Sequence, residues 1–187
     1  KGSSAAEDVT LNANVTATGG NGNVTVAAGD TVFVNSGKTV SAVGTGNVTL
    51  AAGENYTDET LNRDGDANGD ISMGATGSVT TADGNILLDA RRDVVLATAN
   101  ANSNADATLG NVTINAVGGK ITDANGATNN VNGAKFLAKA GQGVGTAADL
   151  LESTVANFEA DGGSGGVHLI NTGALTVGGV DAGTTGV

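Results

Sequence analysis

The sequence predicts an all-β chain folded as a parallel β-helix, a solenoid with about three short strands per coil of roughly 20–26 residues. Three observations carry that expectation. A phrase recurs along the chain, the residues between recurrences break into short alternating runs, and the apolar residues are mostly small or β-branched. The phrase is Gly22-Asn23-Val24-Thr25-Val26-Ala27-Ala28-Gly29, which returns 24 residues later as Gly46-Asn47-Val48-Thr49-Leu50-Ala51-Ala52-Gly53. It returns again at Gly84-Asn85-Ile86 and Gly110-Asn111-Val112. Repetition at a fixed period is the signature of stacked structural units.

Within one period the runs 23–28, 31–35 and 39–43 follow one another, separated by Gly29-Asp30 and Ser36-Gly37-Lys38. Each has strand length and ends in turn residues. Three strands per period with no intervening helix fit one coil of a solenoid, each strand pairing with its equivalent in the next coil. Alternation then points Val24, Val26 and Ala28 inward and Thr25 and Ala27 outward. Stacking aligns Asn23, Asn47, Asn85 and Asn111 at one corner, where their amides can hydrogen-bond as a ladder, although Gly-Asn is also an ordinary turn dipeptide.

The 38-residue interval between Gly46 and Gly84 is explained by an insertion over 54–69, with 70–73 and 78–81 completing that coil. Beyond Gly118 the runs 120–122, 134–140, 154–160, 167–171 and 174–180 read as strands. Over 147–160, Leu150, Leu151, Val155 and Phe158 also fit a helical stripe. The whole of residues 1–187 reads as a single solenoid segment of a longer array or fibre.

Composition narrows the function. Gly is 31 of 187 residues, aromatics are 2%, and Pro, Cys and Trp are absent. A net charge of −11 repels phosphate backbones and anionic membranes, so nucleic acid is not an expected partner. No apolar run reaches the length needed to span a bilayer, so membrane insertion is not expected. Lys1-Gly2-Ser3-Ser4 opens no signal peptide, and a secreted chain would have lost its signal or carry it elsewhere.

The GNVTVAAGD and GNVTLAAGE phrases, the stretch GNILLDARRDVVL at 84–96 and VANFEADGGSGGVHLINTGALTVGGVD at 155–181 resemble the filamentous-haemagglutinin-like adhesins and related giant β-helical exoproteins of bacteria. The resemblance implies a right-handed β-helical stalk exported to the cell surface and used in adhesion or biofilm formation. It carries no adhesive residue over to this chain.

Several motifs bear on chemistry. Asp64-Gly65-Asp66-Ala67-Asn68-Gly69-Asp70-Ile71 matches the first eight positions of a calcium loop. Asp64, Asp66 and Asn68 at alternate positions suit a hard cation, with the carbonyl of Asp70 next and Gly69 allowing the turn. Ala75 stands where the loop pattern has a bidentate Glu, and Asp58 or Glu59 are candidates to replace that carboxylate. N-x-T sequons occur at Asn14, Asn23, Asn47, Asn55 and Asn111, of which only Asn55 lies in the insertion.

Gly162-Gly163-Ser164-Gly165-Gly166 matches G-x-S-x-G formally, but a hydrolase elbow needs a strand before it and a helix after it. The lone His168 reads as a strand-edge residue. Asp89, Arg91, Arg92 and Asp93 are the one cluster that suits a polysaccharide-processing β-helix enzyme, and a structural salt bridge explains them better. The expected role is therefore non-catalytic: an extracellular stalk or fibre serving adhesion or matrix formation. Its expected partners are further copies of itself, end to end or laterally, or glycans and proteins of neighbouring or host cells. A filament subunit that stacks by its ends is the alternative closest to this reading.

Overall fold

The structure, a computed structural model, describes residues 7–53, 69–183 and 186–187. Strands follow in threes. The first coil holds β1 (Val9–Leu11), β2 (Val15–Ala17) and β3 (Val24–Ala28), and the second β4 (Val32–Val34), β5 (Thr39–Ala42) and β6 (Val48–Ala52). The third holds β7 (Ile71–Met73), β8 (Ser78–Thr81) and β9 (Ile86–Ala90), and the fourth β10 (Val94–Leu96), β11 (Thr98–Asn100) and β12 (Val112–Ala116). Next come β13 (Lys120–Asp123), β14 (Val131–Asn132) and β15 (Lys135–Ala140), then β16 (Gly143–Val144), β17 (Leu151–Thr154) and β18 (Asn157–Asp161). Strands β19 (Leu169–Asn171) and β20 (Thr176–Val177) begin a further turn.

Every third strand pairs in parallel as far as β18, and β19 and β20 then pair with β17 and β18, giving one six-stranded and two seven-stranded sheets. The first sheet runs from β1 to β16, the second from β2 to β19 and the third from β3 to β20. The expected parallel β-helix is what forms, and the phrase repeat is its third sheet: Val24 aligns with Val48, Val48 with Ile86, and Ile86 with Val112.

The core is a stack of thin layers. Val48, Leu50, Leu88, Ile114, Ile121 and Phe136 are fully buried. Small β-branched side chains suit this interior because three sheets converge on a narrow axis. In the first coil Val24 and Ala28 are buried, whereas Val26 is half-buried against the core. The helical alternative over 147–160 does not form. Leu151 and Phe158 sit in two separate strands, because Leu151 pairs with Leu169 and Phe158 with Phe136, and the strand expected over 154–160 is divided at Val155-Ala156.

The recurring Gly-Asn has two physical causes. A Cβ on Gly46, Gly84 or Gly110 would lie 2.3, 2.0 or 1.7 Å from the carbonyl oxygen of the glycine one coil earlier. None of these glycines has a positive φ, so space and not backbone conformation requires them. The asparagine beside each one bridges coils. Asn23 Oδ1 accepts the backbone N–H of Asn47 at 2.8 Å, Asn47 Oδ1 that of Asn85 at 2.8 Å, and Asn85 Oδ1 that of Asn111 at 2.9 Å. The ladder therefore runs from side chain to backbone, not from amide to amide. An N–H at a strand entrance has no ladder partner of its own, and a short Asx side chain supplies one.

Each such bond is worth about 1 kcal/mol net. Asn85→Ala is accordingly expected to lower stability by about that amount, while Asn85→Asp keeps the acceptor and loses less. Urea melts of both variants check this, and equal losses would show that the carbonyl is not what matters.

Candidate functional site

The expected insertion falls between β6 of the third sheet and β7 of the first. Asp64, Asp66 and Asn68 lie outside the described residues, as do Asp58, Glu59 and Asn55, so the calcium loop is represented here by Gly69 and Asp70. Asp70 immediately precedes β7, and its groups are engaged. The carboxylate accepts Arg92 Nε at 2.8 Å and a second guanidinium nitrogen of Arg92, and it accepts the backbone N–H of Asp93 at 3.0 Å. Its carbonyl accepts the N–H of Val32 at 2.9 Å. Among the described residues no group of three or more His, Asp or Glu side chains comes together in a metal-binding arrangement.

The same corner repeats this chemistry along the axis. Asp8 Oδ1 accepts the N–H of Thr31 at 3.0 Å, and Asp93 Oδ1 accepts that of Lys120 at 2.8 Å. Asp70, Asp93 and Arg92 thus cross-link successive coils, and within the cluster of Asp89, Arg91, Arg92 and Asp93 it is Arg92 that makes an inter-coil salt bridge, to Asp70. Asp89 is joined to Asn115 one coil further on, at 3.2 Å. Arg91 and Arg92 fall on the bend between β9 and β10, so the turn, not strand alternation, sets their directions.

The other sequence candidates lie in turns and at strand ends. Gly163–Gly165 is a single turn of 3₁₀ helix followed by extended chain, so no strand-turn-helix elbow surrounds Ser164. His168 contributes its backbone to the first and second sheets, donating N–H to Val144 and accepting from Leu151. At the sequons, Asn23 and Asn47 use their side-chain oxygens in the ladder, and Asn14 Oδ1 accepts the N–H of Thr39 at 3.0 Å.

Sequence reasoning did not foresee a polar knot at the corner between the first and second sheets. Asn130 is fully buried, and its Nδ2 donates among Asp123 Oδ1 at 2.6 Å, Asn125 Oδ1 at 3.1 Å and the carbonyl of Ala97 at 3.1 Å. Its Oδ1 accepts the N–H of Glu152 at 2.8 Å, repeating the ladder logic. Asp123 Oδ2 and Glu152 Oε2 are buried with no hydrogen-bond donor. Desolvation pushes the Glu152 carboxyl above the ordinary carboxylate range, and the charges of Asp123 and Asp149 add to the rise. The residues that build the knot are spread over 96–152 and come from three coils, so no local motif announces it.

The sign follows from linkage. A carboxyl whose pKa is raised by folding contributes stability in full below its unfolded value, and that contribution is lost as pH rises through the folded value. Glu152→Gln is therefore expected to raise the melting temperature at neutral pH and to leave it nearly unchanged in acid. Thermal melts across the carboxylate range test it, and a uniform shift at every pH would show that charge is not the cause.

Glu159 titrates in the opposite sense. It is 2% exposed, and its Oε2 accepts the backbone N–H groups of Asp181 and Val180, which hold its pKa below the ordinary value against the opposing effect of burial. Its contribution is present above the unfolded pKa and is lost as pH falls through the folded one. Lys139 reaches Asp181 at 2.7 Å, so this strap over 178–183 is tied to the third sheet by both charge types.

No family model, curated protein or solved structure matches this chain.

Proposed function

We propose that this chain is a stiff spacer segment of an extracellular surface protein, serving adhesion or matrix formation. The observation that supports the reading is the coil-to-coil cross-linking at the sheet corners by Asn and Asp side chains, superposed on three parallel sheets and a filled axial core. In a solenoid each coil contacts its neighbours alone, so bending stiffness comes from those interfaces. Side-chain bridges at the corners resist the splaying that strand pairing by itself permits. Acidic side chains distributed along the outside keep such a rod dispersed.

Displaying the chain on a non-adherent bacterium tests the adhesive role: retention on a neighbouring-cell or matrix surface should rise above that of an unrelated β-solenoid spacer of equal length. Equal retention would overturn it. Calcium in the 54–69 insertion belongs to the same proposal, since alternate Asp64, Asp66 and Asn68 present hard oxygen donors. Wild-type melting should be higher in calcium than in chelator, and Asp64→Ala should abolish the difference. Identical wild-type melting in the two conditions would reduce the loop to a turn.

A further inference from the structure

The three outer faces of the solenoid differ in chemistry. Strands of the first sheet present Phe33 and Val95 beside Lys120 and Asp123, and those of the third carry Asp89, Lys135, Lys139 and Asp161. Strands β2, β5, β8, β11 and β14 of the second sheet contain no charged residue, in a chain of net charge −11, and the one charged side chain among this sheet's strands is Glu152 of β17, beyond them. Their outward positions form a column, with Thr16 aligned to Ser41, Ser41 to Thr80, Thr80 to Asn100 and Asn100 to Asn132. Thr39, Ser78 and Thr98 form a second column beside it. All of these side chains reach solvent to some degree.

The columns are internally ordered. Thr39 and Ser78 hydroxyls lie 2.8 Å apart, Ser41 donates to Thr16 at 2.9 Å, and Asn132 donates to Asn100 at 3.1 Å. Hydroxyls and carboxamides locked into rows lose less freedom on binding than solvated ones, which is the condition under which weak polar contacts yield net affinity. The rows repeat at the coil rise of about 4.8 Å.

We propose that the part of this face formed by β2, β5, β8, β11 and β14 is a docking surface for an extended, uncharged, β-1,4-linked glycan lying along the solenoid axis. This inference rests on the adhesive reading and assigns it a surface and a partner class. An uncharged face avoids stripping water from ions and neither attracts nor repels a neutral polymer, so recognition falls to hydroxyl and amide hydrogen bonds. A β-1,4-linked chain is extended with a two-fold screw, so alternate sugars present the same edge at a repeat close to two coil rises. Each contact is weak, and affinity accumulates along the row.

The test is calorimetric titration of the chain with cellohexaose, mannohexaose and xylohexaose, set against α-1,4-linked maltohexaose and charged oligogalacturonate. Binding is expected for at least one neutral β-1,4 probe, tighter for the hexamer than the trimer and insensitive to salt. Thr80→Lys should weaken it by at least about tenfold. Thr80→Val with Thr98→Val, which keep the β-branched shape, should also weaken it, while Thr49→Lys on the third sheet should not. Absence of β-1,4 binding, equal binding of maltohexaose or indifference to the Thr80 variants would overturn the proposal. Lateral self-association that disappears with Thr80→Lys, without glycan binding, would assign the face to a second copy and overturn it too. Because these titrations use the chain in solution, they can fail while surface-displayed adhesion succeeds, and the reverse.

Discussion

Gly110→Ala is expected to destabilise the chain by about 3 kcal/mol or more, or to prevent folding, which is at the upper end for a single added methyl group. The new Cβ would sit 1.7 Å from the carbonyl oxygen of Gly84 and 2.6 Å from its carbonyl carbon. Both are backbone atoms, so no rotamer change relieves the overlap. The coils cannot separate locally either, because β9 and β12 are paired over five residues immediately beyond this point. Gly22 is the internal control. It occupies the same place in the phrase, but a Cβ there meets its nearest atoms at 3.4 and 3.5 Å, ordinary contact distances. Gly22→Ala should therefore lie within about 0.5 kcal/mol of wild type, aided by the lower entropy of its unfolded chain. Urea denaturation of the two variants gives the comparison, and similar losses would mean that glycine is required here for some reason other than inter-coil space.

That contrast shows what the sequence makes legible. The phrase repeat exposes the fold because each coil must place the same residue types at the same corner, and Gly-Asn meets two demands there: no side chain on one residue, and a short acceptor on the next. The site candidates were less legible for the opposite reason. Asp70 belongs to a calcium-loop pattern in sequence, yet its neighbours in space are Arg92 and Asp93, more than twenty residues away and one coil on. The knot of Ala97, Asp123, Asn130 and Glu152 likewise draws on three successive coils. Wherever a feature depends on stacking between coils of unequal length, its spacing in sequence is irregular, and local pattern cannot reveal it. The uncharged second-sheet face was hidden in the same way, since its columns take every other residue of short strands separated by 20 to 40 positions.

Phe136→Ala should show the second large effect, a loss of about 3–5 kcal/mol. Phe136 heads the fully buried side chains by volume, and its ring packs against Phe158 with centroids 5.3 Å apart. The same inward position is Val48, Ile86 and Val112 in the earlier coils. In the same coil β14 is only two residues long and supplies Val131 as its buried apolar residue, so this layer has few other large side chains to fill its interior. Truncation leaves a cavity that the coil cannot close, because parallel pairing of β15 with β12 and β18 fixes the backbone on both sides. Phe136→Leu, which retains most of the volume, should cost about 1 kcal/mol. Phe158→Ala should cost less than Phe136→Ala, since its next neighbour on the far side is the exposed Val177 of the two-residue β20. The location of the loss is as diagnostic as its size. With coils coupled only to their neighbours, hydrogen exchange should accelerate first in β15 and β18, while β6 and β9 keep their protection. Uniform acceleration through all three sheets would show that the solenoid unfolds as one cooperative unit and that the nearest-neighbour account of its stiffness is wrong.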